Sequence, residues 1–222
     1  MGFYSSLHSF AAPIFKFLYR VKICNPENEL PSGKCIICAN HTSALDPAVI
    51  AISLKTPITF FAKASLFKIP LLRGFMKKIG VIPVKRGQND IVALKNLISA
   101  LNDEKTCCIF PQGTRIPYAD PSKTEVKGGM GMVAWYTKAP IMPIFIQTKR
   151  RRLKIFRRTY VIMGKPIYFD ELPFTDGRFH DFQNVSEYVF KKTCMLEDMS
   201  YFEKTAKNPF FSHSEKVSLK SS

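Results

Sequence analysis

The chain has 222 residues, of which 46% are apolar and 23% charged, a balance typical of one folded domain rather than a disordered protein. Lys and Arg outnumber Asp and Glu by 33 to 17, so the formal net charge is +16. That excess indicates an anionic partner: a nucleic acid, an anionic lipid or a phosphorylated small molecule. No apolar run reaches the roughly 18 residues of a membrane-spanning helix, and no secretory signal is evident. The six Cys residues are therefore expected to be reduced thiols inside the cell.

The N-terminal region, residues 3–21, repeats apolar side chains at helical spacing and predicts an amphipathic helical segment bent at Pro13. Two interpretations of this segment are open. It can lie on a membrane with Lys16, Arg20 and Lys22 near lipid phosphates, or it can pack on the protein's own core.

After residue 34, short apolar runs bounded by turns alternate with amphipathic stretches. The runs predict strands at 35–39, 58–62, 81–84, 106–110, 139–147 and 159–169. The stretches predict helices at 47–54, 89–102, 128–138 and 184–205. We expect Asp46 to be the N-cap of the first of these helices, with Pro47 at its first position. The alternation is typical of an α/β fold with a mostly parallel sheet flanked by helices.

His41 and Asp46 form the first candidate site, in the segment NHTSALDP. They are too far apart in an extended chain to bond, and in one helix they point in different directions. A strand end, a tight loop and a helix start would bring them together. The carboxylate could then accept one imidazole N–H and leave the other nitrogen as a base, with the attacking hydroxyl supplied by a substrate. The alternative is a His satisfied by its neighbours and an Asp that only caps a helix.

A second candidate site is the loop PQGTR after the strand at 106–110. Gly113, Thr114 and Arg115 offer backbone N–H groups, a hydroxyl and a guanidinium, which suit a phosphate or a developing oxyanion. Arg86, in VKRG, also follows a predicted strand and is a second candidate phosphate ligand, with Lys63 nearby. The alternative for these cations is an ordinary solvated surface.

The basic segment KRRRLKIFRR, residues 149–158, mixes cations with apolar residues and suits an anionic membrane surface or a nucleic acid. Cys35, Cys38 and His41 have a spacing found in zinc sites. On a strand, however, residues three apart point to opposite faces, and no second pair of ligands follows, so we expect no metal.

Four blocks in order, NHTSALD, VKRG, FPQGTR and APIMP, resemble the lysophosphatidic acid acyltransferase family, the 1-acylglycerol-3-phosphate O-acyltransferases. The resemblance covers about residues 33–148. It implies the glycerolipid acyltransferase fold and a peripheral or monotopic enzyme of phospholipid biosynthesis on the cytoplasmic face of the cell membrane. One residue departs from the pattern, since Gln112 stands where the family usually has Glu, and the amide loses the charge but gains N–H donors.

The resemblance also implies an activity, in which a fatty acyl group moves from acyl-CoA or acyl carrier protein to the sn-2 hydroxyl of 1-acylglycerol-3-phosphate, giving phosphatidic acid. The thioester is a co-substrate, and neither a cofactor nor a metal is expected. His41 would be the base and Asp46 its orienting partner. The other residues carried over are the phosphate ligands Arg86, Arg115 and Lys63, and the oxyanion or loop support residues Gly113, Thr114 and Gln112.

Three regions follow from this interpretation: a membrane-associating helical segment at 1–30, an acyltransferase domain at 31–207 and a flexible tail at 208–222. The alternatives are an acyltransferase for another lysophospholipid or glycerol-3-phosphate, or a noncatalytic basic protein that binds lipid or nucleic acid. The noncatalytic alternative, and a nucleic acid partner with it, is less favoured because it does not explain four blocks in order.

Overall fold

The computed structural model describes residues 12–68, 73–74, 76, 81–84 and 90–198. In these ranges strands and helices alternate along the chain. The strands are β1 (Val21–Cys24), β2 (Cys35–Ala39), β3 (Ile58–Thr59), β4 (Phe61–Lys63), β5 (Ile82–Val84), β6 (Thr106–Ile109), β7 (Ile141–Thr148) and β8 (Thr159–Met163). The helices are α1 (Ala12–Leu18), α2 (Asp46–Ser53), α3 (Asp90–Asn102), α4 (Gly129–Thr137) and α5 (Phe179–Cys194).

The main sheet has the strand order β1-β8-β7-β2-β6-β3. Neighbouring strands are parallel except β7 and β8, which are antiparallel, so β1 and β8 run opposite to the other four. The separate pair β4 and β5 is also parallel. This confirms the α/β fold with a mostly parallel sheet.

Two hydrophobic cores lie on the two faces of this sheet, and β2 shows how the sequence divides between them. Every residue of β2 is buried. Ile36 and Cys38 pack in one core with α3, α4 and α5, whereas Cys35, Ile37 and Ala39 pack in the other with α2. Because successive side chains of a strand point to opposite faces, a continuous apolar run is what a doubly covered strand requires.

The N-terminal prediction is only partly testable. Residues 1–11 lie outside the described ranges, and the described helix α1 ends at Leu18. The predicted helical segment 3–21 therefore ran too far at its end, because Val21 belongs to the edge strand β1, whose residues 21–24 pair with residues 159–162 of β8. Among the described helices, none has the length and apolarity needed to cross a bilayer.

Two other element predictions were wrong at their ends. The strand expected at 58–62 is divided, with β3 in the main sheet and β4 in the small one, and the buried Phe60 lies between them. The strand expected at 159–169 ends at Met163, although Ile167 still forms a single antiparallel bridge with Ile141.

The last helix, expected at 184–205, begins earlier, at Phe179, because the Asp181 carboxylate accepts the backbone N–H groups of Thr175, Asp176 and Gly177 and organises the turn before it. It ends at Cys194. Residues 195–198 then turn toward β7, where the Gln147 side chain bonds the backbone N–H and C=O of Asp198.

Candidate active site

The candidate catalytic residues lie where parallel strands end. His41 follows β2 by two residues, and the PQGTR loop follows β6, the strand beside β2. Carboxyl ends of neighbouring parallel strands meet at one edge of a sheet, which is where ligands collect in α/β proteins.

Asn40 directs the chain out of the sheet at this edge. Its side-chain Oδ1 accepts the Ile146 N–H at 2.7 Å and its Nδ2 donates to the Ile146 carbonyl at 3.1 Å. The side chain thus continues the hydrogen bonding between β2 and β7 while the main chain turns away toward His41.

His41 and Asp46 are in direct contact, with 2.9 Å between Nδ1 and Oδ2. The same Oδ2 atom accepts the backbone N–H groups of Thr42 and Ser43, each at 2.7 Å. Asp46 was expected to be the N-cap of α2, but Leu45 has that position and Asp46 is the first helical residue. Its carboxylate points back into the loop because the two loop N–H groups and the imidazole are its hydrogen-bond donors.

This pairing determines which imidazole nitrogen can act as a base. Asp46 is almost fully buried, and His41 is about one tenth exposed. A carboxylate at Nδ1 favours the tautomer with its proton on that nitrogen, which leaves Nε2 as the acceptor. The nearby Ser43 hydroxyl accepts the Leu45 N–H at 3.3 Å, so it participates in the local turn. The roles of His41 and Asp46 in catalysis stay predictions.

The loop after β6 holds His41 at its ring, its carbonyl and its backbone N–H. The Phe110 ring stacks on the imidazole with 4.2 Å between centroids, and the Ile116 N–H donates to the His41 carbonyl at 2.9 Å. The Gln112 Oε1 atom accepts the His41 backbone N–H at 2.7 Å. Gln112 is therefore a buried support of the His41 backbone.

Gly113 has a φ of +68°, a left-handed backbone conformation that favours glycine, and the flexible end of the Lys127 side chain packs against it. Thr114 and Arg115 are exposed beside it. Arg115 directly precedes Ile116, whose N–H bonds the His41 carbonyl, so the exposed Arg115 side chain starts one residue from a direct contact with His41. The Lys127 side chain adds another cation to this edge.

The structure does not test the other two predicted phosphate ligands. Lys63 is the last residue of β4, opposite Val84 of β5. Arg86 lies outside the described residues. Their roles as phosphate ligands stay predictions.

The cysteine pattern does not assemble a metal site. Cys35 and Cys38 pack in different cores on opposite faces of the sheet. Burial raises the pKa of each thiol to about 12. In the described ranges, the potential metal ligands that do come together are Asp176, His180 and Asp181. The Asp181 carboxylate there already accepts backbone N–H groups.

Sequence reasoning missed three residues of this edge: Asn40, Lys127 and Thr124. Asn40 was adjacent to the predicted motif, and an amide where a buried strand ends was the available signal. Lys127 and Thr124 follow the motif by 12 and 9 residues in a loop with no regular spacing. Only the folded loop brings them to Gly113 and Gln112.

The mostly parallel α/β sheet, with a His–Asp pair and a basic, glycine-containing loop at one edge, agrees with the acyltransferase class that the sequence blocks predicted. The family model described as Acyltransferase matches residues 20–147, more than half of the chain. The chain therefore belongs to the Acyltransferase family.

The names of individual relatives agree with this family. The chain is 29% identical over 159 residues to the 1-acyl-sn-glycerol-3-phosphate acyltransferase of Bacillus subtilis, covering 69% of this chain and 78% of that protein. It is 31% identical over 161 residues to the enzyme of the same name from Saccharomyces cerevisiae, covering 68% of this chain and 53% of that protein.

A solved structure also matches, that of the 1-acyl-sn-glycerophosphate acyltransferase PlsC from Thermotoga maritima. The TM-score is 0.65 at 21% identity, with 85% of this chain and 78% of that chain covered. At this identity the match shows the fold.

Proposed function

We propose that this protein transfers a fatty acyl group from a thioester, acyl-CoA or acyl carrier protein, to the sn-2 hydroxyl of 1-acylglycerol-3-phosphate, giving phosphatidic acid. The observation that carries the proposal is the 2.9 Å contact between His41 Nδ1 and Asp46 Oδ2 at the sheet edge. The names of the Bacillus and yeast relatives support the substrate class.

In the proposed reaction, Nε2 of His41 takes the proton of the acceptor hydroxyl as its oxygen attacks the thioester carbonyl carbon. The new C–O bond replaces the C–S bond, and the imidazolium returns its proton to the departing thiolate. Asp46 stabilises the imidazolium through Nδ1. Acyl transfer changes no oxidation state, so the step needs no redox cofactor. Because the acceptor hydroxyl attacks the thioester directly, the step forms no acyl-enzyme.

The candidate cationic side chains would bind the acceptor and take no part in proton transfer. Arg115 would bind the phosphate of the acceptor, with Arg86 and Lys63 as further ligands. The backbone at Gly113 and the Thr114 hydroxyl would stabilise the oxyanion or support the loop. Gln112 would support the loop, since its Oε1 atom accepts the His41 backbone N–H.

The experiment that tests this proposal measures acyl transfer from labelled oleoyl-CoA to lysophosphatidate in detergent micelles, comparing wild type with His41→Ala. Loss of the base should lower the rate at least about a hundredfold. His180→Ala is the matched control, because His180 is exposed on α5.

Activity retained in His41→Ala would refute the mechanism. Should wild type be inactive, the assay would be repeated with acyl carrier protein donors, other lysophospholipids and glycerol-3-phosphate. Failure with all of them would favour a noncatalytic protein that binds lipid or nucleic acid.

We further propose that the enzyme works on the cytoplasmic face of the cell membrane, bound peripherally or monotopically to anionic lipid. A mixed apolar and cationic groove of about 550 Å³ between α1 and residues 156–158 supports this. Phe17 and Phe156 are 74% and 63% exposed beside it. The cations lining it are Lys16, Arg20, Lys22 and Arg158. Exposed aromatic rings surrounded by cations are suited to an anionic bilayer.

The location of this groove fits a bilayer that delivers the acceptor. The first residues of β1 and β8 pair with each other, and Thr159 of β8 pairs with Thr148 at the end of β7. The groove therefore lies at the same sheet edge as His41, and the axis of β1 is three strand spacings, or about 14 Å, from that of β2.

Not all of the basic segment 149–158 is available to lipid. Arg151 pairs with Glu197 and lies 3.8 Å from Asp120. This part of the segment connects the loop after β6 to the residues after α5. The residues of the segment that line the groove are Phe156 and Arg158.

Flotation with anionic and neutral vesicles tests the membrane proposal. Lys16→Glu/Arg20→Glu should weaken binding to anionic vesicles, and added salt should weaken wild-type binding. Lys191→Glu/Lys192→Glu changes the net charge equally on α5, on the other face of the sheet. Equal, salt-insensitive binding of wild type to both vesicle types would contradict the proposal.

A further inference from the structure

Three side-chain and backbone groups form a hydrogen-bonded series behind His41. The His41 backbone N–H donates to Gln112 Oε1 at 2.7 Å, and Gln112 Nε2 donates to Thr124 Oγ1 at 2.8 Å. The Thr124 hydroxyl then donates to the Pro121 carbonyl at 2.7 Å. The series connects the backbone of His41 to a short 3₁₀ turn, Pro121–Lys123, in the loop that precedes α4.

The Pro121 carbonyl, at the end of the series, determines which group donates in each of its hydrogen bonds. A hydroxyl has one proton, and that of Thr124 points to the Pro121 carbonyl. Toward Gln112 the Thr124 oxygen can therefore only accept. Its partner must present an acceptor to His41 and a donor to Thr124, which an amide does and an ionised carboxylate does not.

The turn that carries Thr124 is itself braced. The Asp120 carboxylate accepts both the backbone N–H and the hydroxyl of Ser122, at 3.1 and 2.8 Å. The Thr124 N–H also bonds the Pro121 carbonyl, at 3.1 Å. Gln112 is buried, so water cannot easily replace a lost partner. Thr124 is thus a fixed point from which the amide can orient the His41 backbone.

We infer that Thr124 is a positioning residue for the acyl transfer, acting through Gln112 on the backbone of His41, and that the pair requires an amide at position 112. The inference rests on the proposed function for its effect on rate. This pairing explains why Gln112 stands where the related block usually has Glu: the Thr124 oxygen needs a donor, and an amide supplies one.

The kinetic test compares Thr124→Val, Thr124→Ser and Gln112→Glu with wild type. Thr124→Val keeps the shape but loses the hydroxyl, so kcat should fall roughly tenfold with KM for lysophosphatidate unchanged, as expected for a displaced base. Thr124→Ser should restore kcat to within about twofold. Gln112→Glu should also lose kcat, and a wild-type kcat in Gln112→Glu would overturn the requirement for an amide.

A double-mutant comparison separates the pair from two independent effects. Gln112→Ala/Thr124→Val should be no slower than Gln112→Ala alone, because Thr124 acts only through the amide. Losses that multiply would overturn the inference. The matched control is Thr137→Val, which removes a buried hydroxyl bonded to the Val133 carbonyl in α4 and should leave kcat unchanged.

A second readout does not depend on enzyme activity. Hydrogen exchange at the His41 backbone N–H should be slow in wild type and Thr124→Ser and faster in Gln112→Ala and Thr124→Val. Unchanged exchange in those two variants would overturn the positioning role. If these two variants exchange faster but the wild type transfers no acyl group, the hydrogen-bonded pair of Gln112 and Thr124 stands and only the proposed function fails.

Discussion

Two regions at the same sheet edge contrast in how they are built. Around His41, buried polar groups are joined by short hydrogen bonds to partners that are themselves held in place. Around Phe17 and Phe156, large apolar side chains stand exposed among cations. The first region depends on the exact positions of its side chains, whereas the second depends on which kinds of side chain are exposed. We therefore expect substitutions in the first to change kcat and those in the second to change binding to a surface.

The largest effect should come from Asp46→Asn. The amide can place an N–H toward Nδ1, which favours the wrong imidazole tautomer, and it cannot stabilise an imidazolium. By analogy with the His–Asp pairs of serine proteases, kcat should fall roughly a thousandfold or more. Steady-state kinetics would measure this, with the exposed Asp103→Asn as control. A loss of only a few-fold would mean that Asp46 serves the loop and not the imidazole.

Arg115→Ala should have the next largest effect, on the acceptor. Without the guanidinium, kcat/KM for lysophosphatidate should fall about a hundredfold, whereas transfer to a monoacylglycerol, which has no phosphate, should change little. The exposed Arg178→Ala is the matched control. Equal losses for both acceptors would indicate a structural role for Arg115.

The aromatic side of the comparison is tested by Phe17→Ala and Phe156→Ala. Each should weaken binding to anionic vesicles roughly tenfold, because a phenyl side chain no longer enters the bilayer. Phe179→Ala removes an equally exposed ring on α5 and should not alter binding. With lysophosphatidate in detergent micelles, kcat should be unchanged in all three variants. A fall in kcat in the micelle assay would show that Phe17 or Phe156 also affects catalysis, and the two regions would not be separate in function.

The last and smallest expected effect is the slow alkylation of the buried thiols in the folded protein. Burial raises the pKa of Cys35, Cys38, Cys107 and Cys194 to about 12 and that of Cys108 well above its ordinary value. At pH 8 almost no thiolate forms at these positions, so iodoacetamide should label them far more slowly in the folded protein than in urea. Mass spectrometry would count the labels. Rapid labelling of Cys35 or Cys38 in the folded state would show that β2 opens.

The parts of the fold that sequence predicted best are those governed by local composition. Cys35 to Ala39 is a short apolar run bounded by turns, and β2 has those bounds. The division of 58–62 between two sheets was not predictable, since Phe60 is as apolar as its neighbours and only distant strands decide where the chain changes sheets. Likewise β1 exists because β8 pairs with it, and residues 159–162 lie far along the chain.

The candidate site divides in the same way. The contact between His41 and Asp46 could be predicted, because the two residues are five apart and a strand, a loop and a helix start follow in order. The resemblance implied that Gln112 supports the oxyanion or the loop, but its bond to the His41 backbone could not be predicted, since it depends on how a loop 71 residues later folds against the first. Composition indicated the basic segment 149–158, but only the fold separates Arg151, paired with Glu197, from residues at the groove.

The Asn40 side chain has a consequence for when this enzyme becomes active during its synthesis. The amide bonds both backbone groups of Ile146, 106 residues later. A ribosome that has released only residues 1–140 has made His41, Asp46 and the whole PQGTR loop, yet the strand that aims the imidazole is still missing. We expect such a nascent chain to be silent in the acyl-transfer assay, so that catalysis begins only after β7 has joined β2.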